Sequence, residues 1–339
     1  MKRKTCTFFL VPALALAVAM LLTWPVERLP QKVVKGKERH LVICVHGFMG
    51  HPCNCDGIAE VVSERERDVV VYKSYANWEW PLPYSLRPTL DGVEKGGLRL
   101  AAELEAFVAR HPDLETVSLV GISLGGLYAR YAAGILFDSH QHTIAGLTPR
   151  YFISFASPHI GTRRGHNLLF HYMIRTFGLQ TGTDLVLADE GKVVKTLADA
   201  DTPYYKALAS FEHRVAYANL HHDDKVPFYS SAMDYEPSHS EEAAAKMGSS
   251  VIEVLDSKTP PDPPSNSDQT SEWEAPNEDE IQMVTSLRKL PWRIVQVYFD
   301  HPLASFTAHD AISNSWWIAS YGHDVLSHLV DDIIDFDQL

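Results

Sequence analysis

The chain has 339 residues, 45% of them hydrophobic, which is enough for one large α/β domain with a sizeable buried core. Its formal charge is −13 at pH 7, from 30 basic and 43 acidic residues. This balance, with no basic stripe, excludes a nucleic-acid-binding protein, because such proteins neutralise phosphates with clustered Lys and Arg.

The four cysteines are too few for a disulfide framework in a chain of this length. Cys44 falls in an apolar run and is expected in the core, whereas Cys53 and Cys55 are too close in sequence to bridge without strain. His51, Cys53, Cys55 and Asp56 match no common zinc spacing. We therefore predict no metal site at these residues. We also predict no organic cofactor.

An uncharged run at residues 5–26 follows three basic residues and is long enough to span a bilayer as a helix. Small residues at 17–19 resemble a signal-peptide cleavage site, but the apolar run continues beyond them. We predict a membrane anchor or a signal peptide over residues 1–30. Localisation at the membrane through a single N-terminal anchor is favoured, and entry into the secretory pathway after cleavage is the alternative.

Basic residues flank the run on both sides, so the charge distribution does not decide which side of the membrane the domain faces. The sequence contains no Asn-x-Ser/Thr sequon and no disulfide pattern. Both features weakly favour a domain that faces the cytosol.

Apolar strands and amphipathic helices alternate through residues 38–338, which we interpret as one domain. Strands are predicted at residues 40–50, 68–72, 116–120, 150–156, 214–219 and 293–299, and helices at 97–110, 124–136 and 321–336. This alternation is typical of an α/β fold with a mostly parallel central sheet, right-handed crossovers and helices on both faces.

Two segments interrupt the alternation. Residues 162–210 contain an apolar stretch at 168–177, which fits either a lid inserted over a pocket or an additional packing helix. Residues 256–280 are rich in proline and acidic side chains. Because this second segment has few apolar groups to offset the entropy of ordering, we predict a disordered surface insertion.

A Gly-x-Ser-x-Gly sequence, residues 121–125, lies between a predicted strand and a predicted helix. A serine hydroxyl is a useful nucleophile only when it is exposed on a sharp turn beside a base, and glycines allow that turn. Ser123 is therefore the candidate nucleophile. The backbone amide of Leu124 and one from the glycine-rich turn after the first strand would then stabilise an oxyanion.

An acid and a histidine are also required. An acid just past a strand can orient an imidazole, and both Asp223 and Asp224 follow the strand at 214–219. The histidine is expected after the last strand, and position alone leaves four candidates open: His301, His309, His323 and His328. We place His309 in the loop between strand and helix, and His328 on the surface of the final helix.

Several motifs together resemble the serine esterase family of α/β-hydrolases that includes fungal lipases acting on acylglycerols. The resemblance covers most of residues 40–335 and is carried by residues 41–48 (Leu-Val-Ile-Cys-Val-His-Gly-Phe), 89–92 (Thr-Leu-Asp-Gly), 97–101 (Gly-Leu-Arg-Leu-Ala), 120–131 (Val-Gly-Ile-Ser-Leu-Gly-Gly-Leu-Tyr-Ala-Arg-Tyr), 155–161 (Phe-Ala-Ser-Pro-His-Ile-Gly), 181–185 (Thr-Gly-Thr-Asp-Leu) and 217–227.

The resemblance implies a site. The family's acid stands three residues before Val-Pro, which falls on Asp223, and its histidine has an Ala-His-x-x-Ile context, which falls on His309. It implies Ser123 as nucleophile, His309 as base and Asp223 as its orienting acid. The oxyanion would be bound by the amides of Leu124 and of Phe48 (or its neighbour, residue 49).

The implied activity is hydrolysis of carboxylic esters, those of acylglycerols or phospholipids above all, through an acyl-enzyme. The expected partners are a lipid or small-molecule ester and a membrane. Two alternatives stay open: an inactive, membrane-tethered interaction protein on a hydrolase scaffold, and an acyltransferase or thioesterase.

Overall fold

A seven-stranded sheet forms the centre of the fold in the computed structural model, which describes residues 39–65, 68–79, 88–164, 179–189, 192–257, 259–263, 276–315 and 321–334. These residues belong to one compact unit, Val34–Leu339. The strands are β1 (His40–Val45), β2 (Val69–Lys73), β3 (Thr116–Ile122), β4 (Phe137–Asp138), β5 (Thr143–Ile144), β6 (Thr148–Phe155), β7 (His213–Asn219), β8 (Val251–Ser257) and β9 (Trp292–Val297).

The sheet has the strand order β2-β1-β3-β6-β7-β9-β8. All neighbouring pairs are parallel except β8 with β9, which is antiparallel, and β4 and β5 form a separate two-stranded hairpin. The predicted, mostly parallel sheet is therefore confirmed. It brings the carboxyl ends of β1, β3, β6, β7 and β9 to one edge, where ligands bind in open α/β sheets.

Helices cover both faces of this sheet. They are α1 (Asp56–Arg65), α2 (Val93–Ala109), α3 (Leu124–Ile135), α4 (Leu179–Leu185), α5 (Val193–Ala198), α6 (Pro203–Ser210), α7 (Phe228–Ser231), α8 (Glu241–Ala245), α9 (Glu278–Leu287), α10 (Ala304–Ala311) and α11 (His323–His328). A short 3₁₀ turn (Pro52–Cys55) precedes α1, and a π-helical turn (Leu329–Ile333) follows α11.

The alternation of side chains along β1 shows how one strand serves two cores. Leu41 and Ile43 pack into the core beneath α2, α3 and α6, whereas Val42 and Cys44 pack into the core beneath α1, α10 and α11. All four are fully buried. A strand buried on both faces has no place for alternating polar residues, which is why its sequence is a continuous apolar run.

Three expectations differ from the structure. Strand β8 was not predicted, and its last two residues lie inside the segment 256–280 expected to be disordered. That segment also ends within α9, where Glu280 is fully buried, so its two ends are ordered. His309 lies in helix α10 rather than in a loop. Single-sequence patterns missed these elements because pairing with β9 and burial against other elements determine them.

Some predictions concern parts of the chain outside the described residues. These are the anchor or signal peptide at 1–30, the apolar stretch at 168–177 that was interpreted as either a lid or a packing helix, and the middle of the acidic insertion. Within the described ranges, no helix is both long enough and apolar enough to cross a membrane.

Three buried histidines make the stability of this fold sensitive to acid. Burial lowers the pKa of His40 to about 3, aided by the charge of Arg150, and lowers the pKa of His46 to about 4. Burial, with the charge of Arg130, also holds the pKa of His159 well below its usual value. Each imidazole is therefore neutral in the folded state at a pH where the unfolded chain binds a proton.

The free energy of unfolding should thus be independent of these groups above pH 6.5 and fall as the pH drops from 6.5 towards 4. Three protons correspond to a slope of about 4 kcal/mol per pH unit at most. Urea titrations at pH 7.5, 6.5 and 5.5 measure this slope. His46→Asn should make this slope shallower by about 1.4 kcal/mol per pH unit, the contribution of one proton. His140→Asn, at an exposed position, should leave the slope unchanged. An equal slope in the wild type and in His46→Asn would contradict the assignment.

Candidate active site

Ser123 occupies a sharp turn between the end of β3 and the start of α3. Its backbone has φ 54° and ψ −127°, a positive φ that is strained for any residue with a Cβ and that recurs at functional sites. The Ser123 amide donates to the Phe155 carbonyl at 2.8 Å, and the Gly126 amide donates to the Ser123 carbonyl at 3.0 Å. These bonds fix the serine at the carboxyl edge of the sheet.

The two glycines of the motif are required by close backbone approach. A Cβ on Gly125 would lie 2.1 Å from the carbonyl oxygen of Val45, and one on Gly121 would lie 2.4 Å from the Cα of Gly126. Both contacts are far shorter than atoms tolerate, and both partners are backbone. The spacing Gly-x-Ser-x-Gly is thus dictated by packing of the turn against β1 and α3.

The turn after β1 lies directly against Ser123. A Cβ on Gly47 would lie 2.7 Å from the Ser123 Cβ and 3.3 Å from its Oγ. The Gly50 amide donates to the Gly47 carbonyl at 3.1 Å, which closes a four-residue turn with Phe48 and Met49 at its centre. The sequence predicted that an oxyanion donor lies in this turn. The structure shows that the turn lies next to Ser123.

The two amides left open by the sequence differ in their hydrogen bonds. The Met49 amide donates to Thr89 Oγ1 at 3.0 Å. The Phe48 amide has no hydrogen-bond partner among the residues that the structure describes. Leu124, the first residue of α3, has an amide without a carbonyl partner inside the helix. Among the described residues, the amides of Phe48 and Leu124 are therefore left without a partner, whereas that of Met49 is bonded.

Asp223 and His309 form a buried pair two strands away from Ser123. The His309 Nδ1 lies 3.0 Å from both carboxylate oxygens of Asp223, and the two side chains are almost fully buried. Because the carboxylate can only accept, Nδ1 carries the proton and Nε2 is left with its lone pair. Two strand spacings are about 10 Å, a separation that an imidazole between a serine and an acid can bridge.

Burial raises the pKa of Asp223, but opposing interactions outweigh it and leave the pKa below its usual value. The charge and hydrogen bond of His309 contribute most to this lowering, followed by hydrogen bonds from the Val226 amide at 2.8 Å and from Asn219 Nδ2 at 2.8 Å. The acid therefore stays ionised at neutral pH, as an acid that orients an imidazole must.

The other acid and histidine candidates lie elsewhere. Asp224 is exposed, and so is His323, whose Nδ1 is 3.2 Å from Ser327 Oγ. The ring of His301 stacks on Tyr321 at 4.2 Å between centroids, and His328 is half-buried, with Nδ1 3.0 Å from the Tyr217 hydroxyl. The expectation of a surface position for His328 is thus only partly right. Of these candidates, only His309 contacts an acid from the loop after β7 in the described residues.

Sequence reasoning missed one residue that joins the acid to the histidine. The Asn219 amide donates to Asp223 Oδ2 at 2.8 Å and also to the Ala308 carbonyl at 3.3 Å, next to His309. A salt bridge between Lys225 Nζ and Asp310 Oδ2 at 2.9 Å links the same two elements. Asn219 ends a strand four residues before Asp223, but only the folded chain shows that it reaches α10.

The cysteines also differ from expectation. Cys44 and Cys55 form a disulfide with their Cα atoms 6.0 Å apart, although the sequence predicted no disulfide. Strand β1 and the 3₁₀ turn place these two sulfur atoms side by side in the core, and the closed loop contains the turn that borders Ser123. The lack of a disulfide pattern therefore no longer supports a cytosolic domain. In the described ranges no group of three or more His, Cys, Asp or Glu could hold a metal ion.

Residues 35–234 match the family described as "Putative serine esterase (DUF676)". Because this match covers more than half of the chain, the chain belongs to that family, and the resemblance seen in the motifs is confirmed. The mostly parallel sheet with helices on both faces is that of an α/β-hydrolase. The matched residues include Ser123 and Asp223, whereas His309 lies beyond them.

Two yeast proteins are similar in sequence. "Putative lipase C4A8.10" of Schizosaccharomyces pombe is 28% identical over 224 residues, covering 61% of this chain and 28% of its own length. "Putative lipase ROG1" of Saccharomyces cerevisiae is 27% identical over 228 residues, covering 64% and 32%. The chain thus spans less than a third of the length of either relative.

Two solved structures match this chain at low sequence identity and with TM-scores below 0.5. Est1E from Butyrivibrio proteoclasticus is 12% identical with a TM-score of 0.39, covering 82% of this chain and 87% of its own. Phospholipase PlaB from Legionella pneumophila, in complex with thio-NAD, is 13% identical with a TM-score of 0.40, covering 56% of this chain and 41% of its own.

Proposed function

We propose that this protein is a serine hydrolase that cleaves carboxylic esters through a covalent acyl-enzyme. The single observation that carries the proposal is the Asp223–His309 pair, buried and 3.0 Å apart, at the same sheet edge as the strained Ser123. Membership of a serine esterase family supports it. In this proposal Ser123 is the nucleophile, His309 the general base and Asp223 the acid that orients it.

The reaction has two halves. Ser123 Oγ attacks the ester carbonyl while His309 Nε2 takes the hydroxyl proton, and Asp223 holds the proton on Nδ1 and stabilises the imidazolium. The tetrahedral intermediate collapses, and His309 returns the proton to the leaving alcohol. Water then attacks the acyl-enzyme with His309 again as base, which releases the carboxylic acid and regenerates the serine. In this scheme His309 carries out every proton transfer.

The negative charge that develops on the carbonyl oxygen needs donors. The amides of Phe48 and Leu124 border Ser123 and lack competing partners among the described residues. In enzymes of this type each such donor is worth roughly 3–4 kcal/mol of transition-state stabilisation. Because Leu124 begins a helix, the positive end of the helix dipole adds to this stabilisation.

A lipid ester is the proposed substrate class. The two relatives named above carry the description "Putative lipase". An uncharged N-terminal run of the kind that spans bilayers precedes the domain in the sequence. An anchor there would keep the active site beside acyl lipids, so we propose that the protein acts at a membrane.

A fluorophosphonate probe tests the proposal directly, since an activated serine attacks its phosphorus, displaces fluoride and becomes phosphonylated. We expect one label, on the peptide that contains Ser123, when the purified wild-type protein is treated and mapped by mass spectrometry. Absence of labelling, or a label on another serine, would instead favour an inactive interaction protein or a different site.

Product analysis then separates the reaction types. Monoacylglycerol, phosphatidylcholine and an acyl-thioester are incubated with the protein, with and without an added alcohol. Free fatty acid from either lipid supports the proposed lipid esterase. Faster cleavage of the thioester would indicate a thioesterase, and transfer of the acyl group to the alcohol in place of water would indicate an acyltransferase.

A further inference from the structure

Two motifs that the proposed mechanism does not use meet behind the turn that borders Ser123. They are the Thr-Leu-Asp-Gly sequence at 89–92 and the Thr-Gly sequence at 181–182. Thr89 and Thr181 are both fully buried. We propose that Thr89 is a positioning residue that holds the oxyanion-binding turn in shape, and that Thr181 fixes Thr89 in place. The inference rests on the proposed function.

The turn needs such support because of Met49. In the turn from Gly47 to Gly50, Met49 occupies the third position with φ 52°, where glycine or asparagine is normally found. A non-glycine residue there is strained and persists only when its surroundings determine it. The side chain of Met49 is half exposed, so core packing cannot supply all of that constraint.

Thr89 supplies a specific constraint. Its Oγ1 accepts the Met49 amide at 3.0 Å, an orientation of the amide that goes with the left-handed backbone at that residue. If Met49 relaxed to negative φ, the peptide between Phe48 and Met49 would rotate, as it does between type II and type I turns. The Phe48 amide belongs to the preceding peptide and shares the Phe48 Cα with the rotating one, so the turn would no longer hold that amide in a fixed orientation toward the oxyanion.

Thr181 extends the support to helix α4. Its Oγ1 donates to the Thr89 carbonyl at 2.8 Å and accepts the Gly92 amide at 3.0 Å, while its own amide donates to the Leu90 carbonyl at 3.2 Å. One hydroxyl thus joins both ends of the segment 89–92 to α4. Asp184, also on α4, accepts the Val93 amide at 2.8 Å and so holds the start of α2.

The central test replaces the Thr89 hydroxyl alone. Thr89→Val keeps the shape of the side chain and removes the acceptor, and we expect kcat for p-nitrophenyl butyrate to fall about 10- to 100-fold with KM within about twofold. Thr89→Ser retains the hydroxyl and should stay within about threefold of the wild type. Thr181→Val, one step further away, should show a smaller loss of about 3- to 10-fold.

The matched control is Thr162→Val. Thr162 is also buried, and its Oγ1 has no hydrogen-bond partner in the described part of the chain, so kcat should stay near the wild-type value. A second variant separates positioning from general destabilisation. Glycine adopts positive φ without strain, so Met49→Gly added to Thr89→Val should recover kcat at least threefold. Kinetics are measured at a temperature where thermal unfolding shows every variant fully folded, so that recovery of kcat reports the shape of the turn and not the amount of folded protein.

Hydrogen–deuterium exchange gives a readout that does not depend on turnover. The peptide spanning residues 46–52 should exchange one amide faster in Thr89→Val than in the wild type, and Thr89→Ser should match the wild type. Wild-type kcat in Thr89→Val, equal losses in the Val and Ser variants, or no recovery with Met49→Gly would each overturn the inference.

The experiments distinguish a failure of the proposed function from a failure of the role proposed for Thr89. A wild-type protein that neither hydrolyses esters nor takes the fluorophosphonate label overturns the proposed function and, with it, this inference. An active, labelled wild type whose Thr89→Val variant is equally active overturns only the role of Thr89.

Discussion

Ser123→Ala and His309→Ala should each lower kcat for ester hydrolysis by roughly 10⁴- to 10⁶-fold, and the double variant should be no worse than either single one. The physical reason is that the two side chains act in one step. Without the imidazole, the hydroxyl proton has no acceptor at the moment of attack, and without the hydroxyl there is nothing for the imidazole to activate. What remains is catalysis by the oxyanion donors and by substrate binding.

His323→Ala is the matched control, because His323 is exposed on α11 and contacts Ser327 instead of an acid. It should keep kcat within about twofold of the wild type. Circular dichroism and thermal unfolding confirm that each variant is folded before kinetics are measured. A large loss in His323→Ala, or a double variant far below both single ones, would show that His309 and Ser123 do not form one catalytic unit.

Asp223→Asn should lower kcat by about 10³- to 10⁴-fold. Three donors besides His309 converge on the carboxylate, from Asn219, Lys225 and Val226. An asparagine has one oxygen in place of two, so its NH₂ group must face one of these donors. If it faces His309, the imidazole carries its proton on Nε2 and can no longer act as a base.

Asp224→Asn distinguishes the two neighbouring acids. Asp224 is exposed, so its replacement should change kcat by less than about twofold, since exposed charges contribute little. Steady-state kinetics with p-nitrophenyl butyrate on both variants suffice for the comparison. A loss confined to Asp224→Asn would place the acid one residue further along and would contradict the assignment made from the Asp223–His309 contact.

Much of this site could be predicted from the sequence because it depends on local constraints. The buried strand β1 reads as an unbroken apolar run, and the turn at Ser123 needs glycines where the backbone passes within contact of Val45 and Gly126. The acid follows directly after a strand. Each of these features depends on residues that are close together in the sequence, so a single sequence is enough to predict it.

Other parts of the site depend on contacts between distant residues. Position along the chain left four histidines and two acids open, and the family resemblance pointed to Asp223 and His309. The structure brings these two residues, 86 positions apart in sequence, into contact. Phe48 was the expected oxyanion donor with Met49 as its alternative, and the hydrogen bond from the Met49 amide to Thr89 separates the two. Neither contact produces a recognisable pattern in the sequence around the residues that make it.

The sequence by itself determined the strand–helix alternation, the position of the nucleophile turn and the family, because backbone sterics and burial impose their own short-range patterns. Only the tertiary structure shows that Asp223 contacts His309, that Cys44 pairs with Cys55 and that His309 lies in a helix. It alone also shows the hydrogen bonds from Asn219 to Asp223 and from Met49 to Thr89. Each of these depends on where separate elements meet across the sheet edge, and that meeting is a property of the packed chain.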